Sequence, residues 1–441
     1  MKRSIALLLA VLPLHLVQAA DAELANAVTK DYRGHLGALF DHFHRNPELS
    51  LMETKTAARL AAELREAGFV VTEGVGGTGV VAIMKNGPGP LVMMRADMDG
   101  LPVLEKSGLP NASTVTGKDR EGNLWPVTHA CGHDVHMTSL VGTARQMAAR
   151  RGQWSGTLML IGQPAEERVA GANAMMKDHV WERFGRPDYA LAFHVVSDVE
   201  AGKITVSEGS PYSGSDTVEI LVHGVGAHGA SPHRGKDPVM LGSQIVVALQ
   251  TIISREREPH EAAVITVGSF HAGTKANIIS DSAKLQLTVR SENAQTRAAL
   301  LDAIRRVAVN TARANGVAEN QLPEVKVMDE ATPPTINDAA LTRRLKLAWT
   351  DKLGAQIFDQ NYQRSGMGAE DFPFFTTKPY IPSVYFGVGG TSRQVLDAAA
   401  NGGAPVPSHH SPIFKIEPEP AVRTGVEATV TAMMALMKKP A

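Results

Sequence analysis

The chain has 441 residues, 44% hydrophobic and 20% charged, with a formal net charge of -1. That is an ordinary globular composition with ample length for a large core and two or three domains, and so balanced a charge excludes the basic footprint of a nucleic-acid or anionic-membrane binder. A single cysteine, Cys131, excludes an internal disulfide framework; the thiol is then a buried spectator, a reactive group or a metal ligand, and the expected partner is a small molecule.

The first twenty residues, MKRSIALLLAVLPLHLVQAA, combine a basic start, an apolar run and a small-residue end at Val17-Gln18-Ala19. They read as a cleavable signal peptide, because the apolar run is interrupted by Pro13 and His15 and falls short of the roughly 20 residues a bilayer span needs. The mature chain is expected to start near Ala20 or Asp21 and to be exported, periplasmic or secreted, with no membrane anchor.

From residue 21 onward, amphipathic stretches alternate with apolar runs. Ala57, Leu60, Ala61 and Leu64 fall at helical spacing within 52–67, ahead of Gly68. Then come VVAIMK (80–85), LVMMR (91–95), a helix from about 135 to 150, GTLMLIG (156–162) and YALAFHV (189–195). Such continuous runs predict strands buried on both faces, in a mostly parallel sheet covered by helices. A second unit, 214–331, reads strand (216–224), helix (237–256), strand (263–270), strand (283–291), helix (293–316) and strand (324–329). That order is βαββαβ, ferredoxin-like, a small sheet with two helices on one side. After Pro333 and Pro334 the α/β pattern returns with a helix at 338–352 and the strand SVYFGV at 383–388. The expected architecture is thus an α/β domain, 21–213 and 332–441, interrupted by the 214–331 insertion.

Ligands of open α/β sheets bind beyond the carboxyl ends of the strands, and polar residues collect there. Asp97 and Asp99 follow LVMMR, Glu166 and Glu167 follow GTLMLIG, and His194 closes YALAFH. Cys131 and His133, in HACGHDVH, stand two apart before a helix whose N-terminus favours a thiolate. Zinc and similar ions accept this mixture of thiolate, imidazole and carboxylate. Asp134 and His136 read equally well as supporting groups or helix caps. Neighbouring side chains on an extended segment point apart, so one of the Glu166–Glu167 pair can hold a metal while the other moves protons.

HRNPELSLMET (44–54), RADMDGLP (95–102), HACGHDVH (129–136), QPAEE (163–167), FHV (193–195), GAHGASPHRGKDP (226–238), ANIISD (276–281), MGAEDF (367–372) and HHSPIF (409–414) together resemble the M20 metallopeptidase family, in its amidohydrolase branch of hippurate hydrolases, aminoacylases and auxin-conjugate hydrolases. The likeness runs in order from about residue 30 to 430. It implies a two-metal catalytic domain with an inserted lid and dimerisation domain, and a homodimer formed through the lid. Carried over by position, Cys131, His133, Glu167, His194 and His410 are the implied metal ligands, Cys131 standing where related peptidases place a bridging aspartate. The His410 assignment depends on register with SPIF, since His409 adjoins it. Glu166 is the implied general base and Asp99 its support. His228 is the implied lid histidine that reaches the partner's site and stabilises the oxyanion, and Asn277 and Arg290 are implied to hold the substrate's carboxylate end.

The implied reaction cleaves N-acyl amino acids with a metal-activated water. A carboxypeptidase or dipeptidase on the same site is the alternative, and a non-catalytic extracytoplasmic binding protein a more distant one. Zinc suits Cys131, while manganese, cobalt or nickel also fit a His- and carboxylate-rich site. Two departures stand out: 105–128 is longer than the typical connection and carries Trp125, and Leu287-Thr288-Val289-Arg290 lacks the glycine of the usual GTxR.

Overall fold

Four strands, Gly156–Gln163, Leu91–Asp97, Tyr189–Glu200 and Ser383–Thr391, lie side by side and parallel at the centre of a seven-stranded sheet. Antiparallel strands complete it, Gly79–Asn86 and then Val70–Val75 on one side and the short Ile204–Thr205 on the other. The computed structural model describes residues 22–439, so the leader reading of residues 1–20 lies outside the described residues.

Alternation along the central strands explains why they read as unbroken apolar runs. Val92, Met94 and Ala96 enter one core with Leu158, Leu160, Leu191 and Phe193, while Met93 enters another with Met159, Ile161, Ala190 and Ala192. Both faces are therefore dry, as parallel sheets require. Helices Ala22–Asp31, Thr54–Glu66, His133–Ala149, Ala339–Leu353 and Pro418–Leu436 supply the first core, and helices Gly171–Lys177 and Val180–Phe184 contribute to the second.

The βαββαβ unit contrasts with this. Its four strands are all antiparallel, in the order Ala263–Ala272, Ser282–Ser291, Gly214–His223, Glu324–Thr332. Burial alternates residue by residue along Gly214–His223, so the sheet is one-sided: Val218, Ile220 and Val222 pack with Leu241, Ile245 and Leu249 of helix Pro238–Thr251 and with Leu300 and Ile304 of helix Ala294–Ala314. Asp237 and Asn293 cap these helices through the N–H groups of Val239 and Thr296, with Pro238 at the first helical position. Continued by one π-helical turn, Pro238–Glu256 is long and apolar enough to cross a membrane by length and composition alone. Here one face fills the lid core, and the other leaves Val239, Met240 and Val247 exposed.

Two sequence expectations are corrected by this fold. The helix expected from about 135 begins at His133, so His133 belongs to its first turn. His194 does not close its strand, which continues to Glu200 in register with Ser383–Thr391. The longer connection at 105–128 contains a two-stranded hairpin, Thr116–Lys118 with Leu124–Pro126.

Candidate metal centre and active site

Two turns aim the donors. Gly132 separates Cys131 from His133 at φ 83°, and a Cβ there would meet Val195 Cγ1 at 2.3 Å. Only glycine allows this turn to lie against the strand that carries His194. The second is a single 3-10 turn, Glu166–Arg168, entered through Ala165 at φ 49°. Its backbone is held by buried carboxylates: Ala165 N–H donates to Glu53 Oε1 at 2.8 Å, Glu166 N–H to Asp99 Oδ1 at 3.1 Å and Glu167 N–H to Asp99 Oδ2 at 3.0 Å.

The imidazoles are oriented by hydrogen bonds on their far nitrogens. His133 Nδ1–H donates to the Asp99 carbonyl at 2.8 Å and His194 Nδ1–H to the Val195 carbonyl at 2.6 Å, which leaves each Nε2 as the free donor atom. His194 Nε2 lies 3.3 Å from Cys131 Sγ. His133 Nε2 and Glu167 Oε1 are buried with no hydrogen-bond partner, 3.9 Å apart. Orphaned atoms of this kind call for an ion or a ligand, and the thiol, imidazole and carboxylate chemistry fits a divalent cation.

Of five donor groups among the described residues two contain the thiol, Cys131 with His133 and His194, and Cys131 with Glu167 and His410. Cys131 belongs to both. His410 Nε2 reaches Glu167 Oε2 at 3.2 Å, whereas His409 accepts the Ser197 N–H on Nε2 and turns Nδ1 toward Cys131 Sγ at 3.8 Å. The expected divergence of Glu166 and Glu167 is corrected, because the tight turn brings both carboxylates to 3.9 Å from His133 Nε2.

Charges around the site compete for protons. Burial, then Glu167, Glu166 and Asp97, push the Cys131 thiol well above its ordinary range. The nearby helix N-terminus, expected to favour a thiolate, is outweighed by these carboxylates, and only a bound cation reverses that balance. Burial opposes a charge on His133, yet Asp97, Asp99 and Glu167 outweigh it and lift its pKa to about 10. Burial, then Glu370, Glu167 and Asp371, hold Glu166 well above the carboxylate range.

A support layer lies beneath these donors, and of its members His136 was read from the sequence as a supporting group while Arg95 was not. Arg95, fully buried, donates to Gln163 Oε1 at 2.8 Å, Asp97 Oδ2 at 2.6 Å and Glu370 Oε1 at 2.7 Å. Asp97 in turn accepts His136 Nδ1–H at 2.5 Å, and His136 Nε2 accepts the Val195 N–H at 2.8 Å. His136 is thus fully engaged as a brace between the strand end at Asp97 and the neighbouring strand at Val195. One signal was available: an arginine closing the apolar run LVMMR has to be paired once buried.

A cavity of about 840 Å³ opens beside Cys131, Glu166, Glu167, His194 and His410, and Arg290 of the small unit lines it. His228 and Asn277 do not line it; they lie exposed together, the Gly229 N–H donating to the Asn277 carbonyl at 2.8 Å.

A thiol common to two donor groups, beside two buried carboxyls, is the outfit of a dinuclear metallohydrolase. The comparisons carry this further: residues 93–401 match the peptidase family M20/M25/M40, and the chain belongs to that family. It is 36% identical over 348 residues to the hippurate hydrolase of Campylobacter jejuni, spanning 78% of this chain and 86% of that one. It is also 36% identical over 355 residues to thermostable carboxypeptidase 2 of Saccharolobus solfataricus, spanning 80% and 84%. A dinuclear metal-binding M20 peptidase of Bacillus subtilis has the same fold, with a TM-score of 0.75 at 28% identity over 92% of this chain and 99% of that one. The chain is a metal-dependent hydrolase of linear amides.

Proposed function

We propose that this hydrolase cleaves N-acyl amino acids into a carboxylic acid and a free amino acid, and that it acts outside the cytoplasm. The observation that carries the substrate reading is Arg290, a half-buried guanidinium in the cavity wall with no carboxylate within ion-pair reach among the described residues. Asp216, the acid whose charge acts on Arg290, is taken by Arg297 on both oxygens, at 2.8 and 2.5 Å. A substrate carboxylate is the counter-charge it lacks. Export rests on the leader reading of residues 1–20.

In this reading Cys131, His133 and His194 would hold one divalent cation and Cys131, Glu167 and His410 the other, zinc being the ion that best matches a thiolate among imidazoles and carboxylates. Such ions, when bound, polarise the amide carbonyl and make water acidic near neutral pH. Glu166 takes the proton of the attacking water and passes it to the departing amine. Asp99 keeps Glu166 in place through the backbone N–H of Glu166 itself. His228 and Asn277, remote from this chain's own cavity, would serve the site of a second copy docked lid to lid, with His228 donating to the developing oxyanion. The exposed apolar residues Val239, Met240 and Val247 of the lid helix support such docking.

The similarity to a carboxypeptidase favours one second reading, hydrolysis of unblocked peptides at the same site. The test is amine release by the purified, metal-loaded chain from N-acetyl, N-benzoyl and long-chain N-acyl amino acids beside unblocked dipeptides, with Glu166→Gln as control. Turnover of blocked substrates that the control abolishes supports the proposal, and turnover of dipeptides alone replaces it with the peptidase reading.

A further inference from the structure

A second guanidinium shares the cavity with Arg290, and it has a glutamate for company. Arg364, from the segment after helix Ala339–Leu353, lines the same cavity and donates through Nη1 to the Ser210 carbonyl at 2.9 Å. Its Nη2 is ion-paired with Glu292. Glu292 leaves the lid strand two residues after Arg290, and Ser291 between them is buried. The odd-numbered residues Leu285, Leu287 and Val289 of this strand face the lid core, so Arg290 points from the helix-free face of the lid sheet, and Glu292 leaves the strand on that same side. The cavity therefore carries two guanidinium groups, Arg290 from the lid and Arg364 from outside it, and Glu292 pairs with Arg364.

We propose that Arg364 is a specificity-determining residue: the substrate's carboxylate is held between Arg290 and Arg364 and takes the place of Glu292 on Arg364. This rests on the amidohydrolase reading, and it assigns the recognition of the free carboxylate to two chain segments instead of the lid alone. The exchange is between like groups. A planar carboxylate offers Arg364 the same paired acceptors that Glu292 does, and it supplies Arg290 with a counter-charge that no described residue provides. Glu292, already partly exposed, moves toward water, where a carboxylate loses little. Because Arg290 and Arg364 sit on opposite sides of the lid junction, a single bound carboxylate ties the two together. The substrate class follows: amides whose amine half bears a free carboxylate, in preference to the same compounds ending in a carboxamide.

The experiment compares N-acetyl-L-methionine with N-acetyl-L-methioninamide on wild-type, Arg364→Gln and Glu292→Gln protein, by turnover and by calorimetric binding to the Glu166→Gln background. Arg364→Gln is expected to raise KM for the acid about tenfold or more while the carboxamide changes little, so that the preference for acid collapses. Glu292→Gln is expected to lower KM for the acid, because Arg364 no longer has to be taken from a bound carboxylate. Equal losses on acid and carboxamide in Arg364→Gln, or an unchanged ratio, overturn the proposal. Should Arg364→Gln fail to fold, the Glu292 variant decides, and an acid KM that is unchanged or raised overturns it. Absence of any wild-type turnover is a failure of the amidohydrolase reading alone; the calorimetric ratio of acid to carboxamide then still decides the role of Arg364.

Discussion

Ala165 N–H donates to Glu53 Oε1 at 2.8 Å across 112 residues of chain, and this bond sets the entry to the turn that carries Glu166 and Glu167. Glu53 is fully buried, accepts the Leu51 N–H on the same oxygen at 2.8 Å and the Thr78 hydroxyl on the other at 2.6 Å. Together with Asp99 it takes three consecutive N–H groups, so the turn is fixed before any ligand arrives. Glu53→Ala leaves three donors without their acceptor and is expected to cost about 2–4 kcal/mol of stability with a large loss of kcat. Glu53→Gln keeps one carbonyl oxygen for Ala165 and should recover much of both. Thermal unfolding and steady-state kinetics on the two variants check this, and equal behaviour of Ala and Gln would count against the bond as the cause.

A buried imidazolium ties the first helices to the metal-site helix. His44 reaches Asp134 Oδ2 at 2.7 Å and Glu105 Oε1 at 3.3 Å. Burial lowers the His44 pKa, but the bonds to Asp134 and Glu105 outweigh it and raise the value from 6.5 to about 10. Its contribution is therefore complete below about pH 6.5 and fades as pH climbs to about 10. Glu105 moves the other way, from 4.5 to about 2: burial would raise it, and the bonds from His44, Ser107 and Ser113 prevail, so its contribution holds above pH 4.5 and is lost toward about 2. His44→Gln should destabilise the protein by about 3 kcal/mol near pH 6. The gap in Tm between wild type and variant should shrink between pH 7 and 10; a constant gap across that range would argue that the pair is not ionic.

How far the sequence could be read depended on whether the chemistry was local. The alternation that separates Val92 and Met94 from Met93 is a property of one segment, and so is the one-sided pattern of Gly214–His223. Both α/β class and the inserted βαββαβ order were legible for that reason. Cys131, Glu167 and His194 stood out because each lies beside or within an apolar run where such residues need a reason, whereas His410 came from the family resemblance alone. Glu53 and Arg95 did not, since their partners lie 112 and 275 residues away and a single chain gives no distance between them. Arg364 was invisible for the same cause: its partner is Glu292, met only where lid and sheet adjoin. The direction of the Glu166–Glu167 pair was misjudged because a 3-10 turn, not an extended strand, carries it.

Because Cys131 belongs to both donor groups and His410 to one, their variants should differ in stoichiometry. Cys131→Ala is expected to lose both cations after dialysis, and His410→Ala only one, as read by elemental analysis of the purified proteins. Metal uptake by the stripped wild type should release protons, since His133 and the Cys131 thiol hold theirs until a cation competes. Affinity should accordingly rise with pH between 6 and 8. Equal metal loss in the two variants, or uptake without proton release, would contradict the shared-ligand arrangement.

The last prediction concerns the second copy. Val247 is 70% exposed on the apolar outer face of the lid helix among the described residues. If the proposed lid-to-lid dimer forms, Val247→Glu should convert it to a monomer by light scattering, and activity should fall with it if His228 acts across the interface. The sharper form mixes two inactive proteins. Glu166→Gln keeps its His228 and His228→Ala keeps its Glu166, so refolding them together creates heterodimers in which one site holds a native Glu166 and receives a native His228 from the other chain. Activity that reappears on co-refolding, and not on simple mixing of folded dimers, assigns His228 to the partner's site. Failure to recover activity despite heterodimer formation would return His228 to the surface of its own lid.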